Sequence, residues 1–201
     1  MSLDINPGRT ALIIQDLQND VVARGGAFEE AGTADHAEEQ DVLANVSRLA
    51  QACRAAGVMV VHVWFVVDEG APGVPDTCPL FGMVRDGGNR RGTWGAGPAE
   101  GVEPKDGDHV VEKMRMCAFE GTHLDQLLRS EGRDTIINTG ALTNMAVEHT
   151  ARTGADKGYR ILMPDDGCSS FSAEWHRASI DHAIQNVATV TTVDEVISSI
   201  A

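Results

Sequence analysis

The chain has 201 residues, a formal net charge of −14 and a hydrophobic content of 42%. A chain of this length buries roughly 70% of its unfolded surface on folding, so we expect residues 1–201 to form a single domain with a sizeable core. The negative charge argues against nucleic acid or an anionic membrane surface as a partner. No apolar run approaches the roughly 18 residues of a membrane span, so no membrane partner is expected.

The cysteines are scattered along the chain without a CxxC pair, and no signal peptide precedes them. This usage is typical of free thiols in a reducing compartment, and it predicts a cytoplasmic protein. The four thiols belong to Cys53, Cys78, Cys117 and Cys168.

Short apolar runs alternate with segments of helical spacing along the chain. The runs predict six strands, at 10–14, 58–67, 109–112, 135–137, 160–163 and 187–191. The helical spacings and capping signals predict helices at 42–56, 122–129, 143–151, 173–184 and 193–200. Residues 21–37 and the Gly- and Pro-rich residues 68–108 are predicted as loops. Strands that alternate with helices predict a parallel sheet covered on both faces.

Chemistry-bearing residues fall where the predicted strands end. Asp16 follows the first strand and Lys113 ends the third. In a parallel sheet these ends meet at one edge, where ligands gather. A lysine beside an aspartate in a partly dry cleft tunes both groups for proton transfer. On spacing alone the plainer reading is favoured, with Asp16 as a turn former and Lys113 as a solvated cation.

The fourth predicted strand leads into a turn that suits anion binding. Gly140 is expected to break the apolar run, and Thr143 and Asn144 are helix-start residues. A strand, a tight turn and a helix start place free backbone N–H groups at one point, where a hydrolase could hold an oxyanion. The position where a nucleophile would stand is occupied by Ala146, whose methyl group cannot attack a substrate.

Three ordered motifs carry a family resemblance. The segments IIQDLQND, EKMRMCAFEGTHLDQLL and TGALTNMAVEHTA, with GTWGAGP ahead of the lysine, resemble the isochorismatase-like (cysteine hydrolase) family from about residue 10 to about 195. The resemblance implies a Rossmann-like three-layer α/β/α sandwich with a six-stranded parallel sheet, and a homo-oligomer, either a dimer or a tetramer. It also implies an Asp–Lys–Cys triad with Asp16 and Lys113 as its first two members, and a non-proline cis peptide at Leu142–Thr143.

The departure from the family pattern lies at the third member of the triad. The family cysteine falls on Ala146, which closes the thioester route of the family's amidases. If the alanine is natural, the resemblance implies noncovalent hydrolysis of an isochorismate-type enol ether, with Asp16 as the acid and water as the nucleophile. If a cysteine was replaced, the parent is a C–N hydrolase acting on an amide, ureido or carbamoyl group. A third hypothesis is a catalytically degenerate binding protein.

Further residues are candidates for the walls of a small-molecule pocket. For each of them an ordinary structural role is the alternative. Leu142, Thr143, Asn144 and Met145 form the predicted anion-binding turn, and the possible pocket residues are Gln18, Trp94, Phe119 and His149. Arg90 and Arg91 could meet a substrate carboxylate. Cys117 is expected to be a small packing residue, and Cys168 is expected to lie away from the turn. The chain lacks the DxH pair of metal-dependent relatives after its second strand, so neither a metal nor another cofactor is expected.

Overall fold

Seven strands form the sheet of the computed structural model, which describes residues 3–200. The strands are β1 Thr10–Gln15, β2 Met59–Phe65, β3 His109–Lys113, β4 Thr135–Ala141, β5 Arg160–Pro164, β6 Cys168–Ser169 and β7 Thr189–Thr191. Their order across the sheet is β3-β2-β1-β4-β5-β7, and β6 pairs with the carboxyl end of β4. Every strand pair is parallel, which confirms the predicted sheet.

Helices connect these strands and cover both faces of the sheet. They are α1 Asn19–Val22, α2 Thr33–Glu39, α3 Val42–Ala56, α4 Pro79–Asp86, α5 Leu124–Ser130, α6 Glu148–Asp156, α7 Ala173–His182 and α8 Val193–Ile200. A single turn of π-helix, Thr143–Val147, lies between β4 and α6. None of the helices within residues 3–200 combines the length and the hydropathy needed to span a bilayer.

The central strand β1 divides the core into its two layers. All six of its residues are buried, as expected for a strand covered on both faces. Leu12 and Ile14 pack in the layer that holds α3 and α8, whereas Ala11 and Ile13 pack in the layer that holds α5 and part of α6. The three-layer α/β/α architecture is therefore confirmed. The prediction of a single domain over 1–201 stays a prediction, because residues 1, 2 and 201 lie outside the described residues.

Several predicted elements need correction. The sheet has seven strands rather than six, because the two-residue β6 was too short to give an apolar run. Gly140 does not end its strand: β4 continues to Ala141. At Gly140 φ is +120°, and a Cβ there would lie 2.0 Å from the carbonyl oxygen of Gln15. The glycine therefore permits the close approach of β4 to β1 rather than breaking the strand.

The two predicted loops contain helices. Residues 21–37 include the end of α1 and most of α2, and residues 68–108 include α4. These helices are short, with four, seven and eight residues, so each offers little periodicity to read. The predicted helix at 122–129 begins at Leu124, and the helix predicted to end at 184 ends at His182. The bounds predicted for α3 and α8 are confirmed.

Candidate active site

Asp16 lies immediately after β1, at the carboxyl edge of the sheet. Its backbone is in the left-handed region, with φ of +51°, a conformation that aspartate and asparagine tolerate better than most residues. Its backbone N–H donates to the carbonyl of Val63 at 2.9 Å, which extends the pairing with β2. Its Oδ1 accepts a hydrogen bond from the backbone N–H of Phe65 at 3.0 Å. The carboxyl group is thus held rigidly, with 6% of the residue exposed.

Lys113 ends β3 and reaches the same carboxyl group across the end of β2. Its Nζ donates to Asp16 Oδ2 at 2.7 Å, and its side chain is 0% exposed. The ammonium also lies 5.0 Å from the centre of the Phe65 ring. The structure therefore brings together two residues that are 97 positions apart in sequence. Strand order explains the meeting, because β2 alone separates β1 from β3.

Burial and the neighbours of Asp16 act in opposite directions on the pKa of its carboxyl group. Burial raises the pKa of this carboxyl above its ordinary value, although the charge and hydrogen bond of Lys113 and the N–H of Phe65 act in the opposite direction. The two oxygens each accept one protein hydrogen bond, which leaves further lone-pair positions for a proton or a water molecule. Asp16, with a raised pKa and free lone pairs facing the cleft, is therefore suited to exchange a proton with a bound molecule.

Asp16 and Ala146 face one cleft, which encloses about 510 Å³ of space including its open mouth. The cleft lies beside the β1–β4 junction, where the order of an open parallel sheet reverses and ligands commonly bind. Its lining is largely apolar: Asp16, Val21, Phe28, Thr33, Phe65, Leu80, Met83, Val84, Asn89, Met116, Ala141, Leu142, Met145, Ala146 and Phe171. No cysteine or serine is among these residues, so the cleft presents no thiol.

The turn after β4 forms one wall of the cleft. The cis peptide lies at Ala141–Leu142, one bond earlier than predicted at Leu142–Thr143. The N–H groups of Met145 and Val147 both donate to the carbonyl of Leu142, so they are not free to hold an oxyanion. Of the predicted turn residues, Leu142 and Met145 line the cleft, whereas Thr143 and Asn144 do not. Neither of these two caps a helix, because their side chains bind elsewhere.

A buried relay explains where Thr143 points. Its hydroxyl donates to the carbonyl of Ser169 at 3.0 Å and lies 2.8 Å from His176 Nδ1. The other ring nitrogen of His176 lies 2.5 Å from Asp165 Oδ1. Burial raises the pKa of the Asp165 carboxyl, but hydrogen bonds from His176 and Arg177 outweigh it and hold that pKa below its ordinary value. Through Thr143 and His176, these hydrogen bonds connect the turn to α7 on the side away from the cleft.

The remaining predicted pocket residues lie off the cleft, except that Gln18 supports it. Gln18 Nε2 donates to the carbonyls of Phe65 and Ala96, and its Oε1 accepts from the N–H of Phe65, the group that also binds Asp16. Phe119 stacks on Tyr159 in the core. His149 is exposed on α6, where its Nδ1 pairs with the carbonyl of Met145, and Trp94 is 58% exposed. Helix phase and loop conformation, which decide these positions, are not readable from the motifs.

The other candidates from the sequence have structural roles. Arg91 pairs with Asp68 and Glu112 on the surface, and Arg90 donates to backbone carbonyls. Cys168 was expected away from the turn, but it pairs with Gly140 as part of β6. Its thiol is buried in the core, and burial raises its pKa, so it is not an available nucleophile. Cys117 is half-buried against the core.

Sequence reasoning missed several residues of the site. Asn89, Phe171 and His176 carry no motif, although Gly87-Gly88-Asn89 is a turn signal that suits a left-handed asparagine. Phe65 ends β2 and supplies both a wall and a hydrogen bond to Asp16. Across residues 3–200, no three side chains of histidine, cysteine, aspartate or glutamate are grouped closely enough to bind a metal ion.

Comparison with known proteins shows which family the chain belongs to. Residues 10–195 match the family described as the isochorismatase domain. The chain belongs to the isochorismatase family. It is 33% identical to the uncharacterized isochorismatase family protein YecD of Escherichia coli O157:H7, over 98% of this chain and 100% of the relative.

Two further relatives are similar to this isochorismatase-family hydrolase over most of its length. The ureidoacrylate amidohydrolase RutB of Methylobacterium radiotolerans is 32% identical, over 88% of this chain and 73% of the relative. Among solved structures, a cysteine hydrolase from Pseudomonas syringae pv. phaseolicola superposes with a TM-score of 0.87 at 29% identity, covering 98% of this chain and 94% of the other. These similarities confirm the family and the fold that the motifs predicted.

Proposed function

We propose that this hydrolase cleaves an enol ether in a small molecule without a covalent intermediate, using Asp16 as the acid. The observation that supports the proposal is the buried Asp16–Lys113 pair at the base of a cleft whose nucleophile position is Ala146. An acid in a dry cleft suffices for enol-ether hydrolysis, because protonation of carbon is the difficult step. Amide hydrolysis, in contrast, ordinarily needs a nucleophile or an activated water molecule.

The proposed reaction uses one proton and one water molecule. Asp16 transfers its proton to the terminal carbon of the C=C–O unit, and the electron pair of the double bond forms the new C–H bond. Water then adds to the resulting oxocarbenium carbon and returns a proton to Asp16. The hemiacetal breaks its C–O bond to release an alcohol and a carbonyl compound. Lys113 stabilises the carboxylate that exists between the two proton transfers.

Phenyl vinyl ether, butyl vinyl ether and isochorismate form a suitable test panel. The two vinyl ethers release acetaldehyde together with phenol or butanol, which can be measured directly. We expect the wild-type chain to turn over the two vinyl ethers, and Asp16→Asn to lose at least a hundredfold in rate, since one general acid contributes about 10²–10⁴. Asparagine keeps the left-handed backbone and can still accept the Phe65 N–H. Asp41→Asn, also at positive φ and exposed on the surface, is the matched control.

A second candidate function is hydrolysis of a C–N bond in an amide, ureido or carbamoyl group. The similarity to ureidoacrylate amidohydrolase RutB favours this candidate. It requires a thiol at position 146, which this chain lacks. We expect Ala146→Cys to release ammonia from a panel of amides and ureides, and Ala146→Ser to be far less active. If Ala146→Cys folds but acts on no amide, this candidate is rejected.

The two candidates give different results with the unchanged chain. Vinyl-ether turnover that depends on Asp16 supports noncovalent hydrolysis and excludes a purely binding role. If neither the panel nor the Ala146→Cys variant shows turnover that depends on Asp16, the chain is a binding protein, and the proposal is wrong.

A further inference from the structure

One polar side chain in the cleft has no function in the mechanism above. The only polar side chains that line the described cleft belong to Asp16, Thr33 and Asn89. Asp16 is held by Lys113, and the hydroxyl of Thr33 donates to the carbonyl of Phe28 at 3.1 Å. Asn89 is only 3% exposed, yet its Oδ1 has no hydrogen-bond partner among the described residues. A buried amide oxygen without a partner costs about 1–3 kcal/mol, so it calls for an explanation.

The backbone around Asn89 holds this unpaired amide in place. Its N–H donates to Asp20 Oδ2 at 2.5 Å, and its carbonyl accepts from the N–H of Val67 at 2.9 Å. Asn89 has φ of +54°, and it follows a glycine at which a Cβ would lie 2.6 Å from the ring of Phe28. Asn89 therefore lines the cleft from a fixed backbone, beside the aromatic ring of Phe28. A fixed polar group in an apolar pocket is the usual means of orienting a ligand.

The cleft offers no cation to a charged substrate. Lysine and arginine are both absent from its described lining, and Lys113 donates to Asp16. The arginines of the neighbouring segment bind protein groups instead. Arg85 and Arg115 donate to backbone carbonyls, as Arg90 does, and Arg91 binds two surface carboxylates. Moving a carboxylate into such a cleft is costly without a paired cation, and the net charge of −14 opposes it further.

We infer that the substrate is uncharged and mainly apolar, and that Asn89 determines its orientation through a hydrogen bond to one polar group. This inference rests on the proposed function only in placing the substrate in the cleft of Asp16. It departs from isochorismate itself, whose two carboxylates would find no cation here. It also makes Asn89 a specificity-determining residue, distinct from the acid.

Equilibrium binding tests the inference independently of turnover. Three ethers that share an ethoxyphenyl unit serve as probes: 4-ethoxybenzamide and 4-ethoxybenzoate, which have nearly equal shapes, and ethoxybenzene, which lacks the polar group. Their saturated ether bond has no double bond for Asp16 to protonate, so a failure of the proposed reaction does not affect the measurement. The variants are Asn89→Gly, which removes the amide and accepts a positive φ without strain, and Asn89→Asp, which keeps its shape. Asp41→Gly is the matched control, because Asp41 has φ of +50° and an exposed side chain.

We expect calorimetry or ligand-observed NMR to give a Kd for 4-ethoxybenzamide at least tenfold below that for 4-ethoxybenzoate. Asn89→Gly should weaken the benzamide five- to tenfold and leave ethoxybenzene within twofold, and Asp41→Gly should change neither. Asn89→Asp should weaken the benzoate further. The inference is overturned if the benzoate binds as tightly as the benzamide, if none of the probes binds, or if a folded Asn89→Gly or Asn89→Asp weakens all three equally. The last result would assign Asn89 a structural role.

Discussion

Replacement of Lys113 by methionine tests the physical basis of the site. Methionine has a similar volume and keeps the contact with the Phe65 ring, but it removes the cation that lies 2.7 Å from Asp16. At that distance, Coulomb's law with an effective dielectric constant of about 20 gives roughly 6 kcal/mol of attraction. Desolvation offsets part of it, and removal of one partner of a buried pair typically costs about 3–5 kcal/mol. We expect Lys113→Met to lower the free energy of unfolding by about 3–5 kcal/mol at pH values where Asp16 is ionised.

The loss should depend on pH, because Asp16 can escape it by taking up a proton. Burial already raises the pKa of Asp16 above its ordinary value, and without Lys113 the pKa rises further. A carboxyl whose pKa is raised on folding stabilises the protein below its unfolded pKa and loses that contribution as pH rises through the folded value. The difference in unfolding free energy between Lys113→Met and wild type should therefore be small near pH 4. It should be largest above the pKa of Asp16 in the folded protein.

Urea unfolding at pH 4.5 and pH 8, followed by tryptophan fluorescence, measures both quantities. The double variant Asp16→Asn/Lys113→Met should regain most of the lost unfolding free energy, because neither position then carries a buried charge. Arg91→Met is the control. It removes a cation that forms two exposed ion pairs, with Asp68 and Glu112, and should change stability by less than about 1 kcal/mol. The reasoning is refuted if Lys113→Met loses the same free energy at both pH values, or if the double variant is no more stable than the single one.

Three other predictions follow from the same contacts. Thr143→Val leaves the Ser169 carbonyl and His176 without their buried partner, so urea unfolding should show a loss of about 1–3 kcal/mol, while Thr189→Val, at an exposed strand position, is nearly neutral. Gly140→Ala should lower the free energy of unfolding by more than about 3 kcal/mol or prevent folding, because its Cβ meets the backbone of Gln15. Gly57→Ala is the control: Gly57 has φ of +79° and no atom within 4 Å of the added Cβ, so the same assay should show a loss of only about 1–2 kcal/mol. For vinyl-ether hydrolysis, kcat/KM should fall as pH rises through the raised pKa of Asp16, and in Lys113→Met this fall should move to higher pH; a shift to lower pH would contradict the acid role.

Fold and strand ends were predictable because they follow from strong local signals. Thr10–Gln15 is apolar enough to be buried on both faces, and helix α3 has a full amphipathic stripe that ends at a left-handed glycine. Once the sheet is parallel, Asp16 and Lys113 must lie at the same edge, although only the strand order brings them close together. The family resemblance added the pairing itself, which spacing alone left open.

Beyond Asp16 and the turn after β4, the lining of the cleft was not predictable, because it depends on the tertiary placement of short elements. Asn89 reaches the cleft through the path of a 41-residue segment that contains one eight-residue helix. His176 supports the turn from a different helix, 33 positions away from Thr143. The helix phase that turns His149 outward and buries Ala146 follows from the π-turn, which inserts an extra residue that no sequence pattern indicates.

The alanine at position 146 changes what the rest of the site has to do. With a thiol there, Asp16 would act mainly as a base and be required in its ionised form, so a strong effect of Lys113 would be an advantage. Without a thiol, the proposed enol-ether hydrolysis needs a proton that Asp16 must first hold, and the burial that raises its pKa favours this role. Lys113 then prevents burial from making the acid too weak to give that proton up. The same pair of residues can therefore serve either chemistry, and position 146 together with the charge of the cleft decides which one operates.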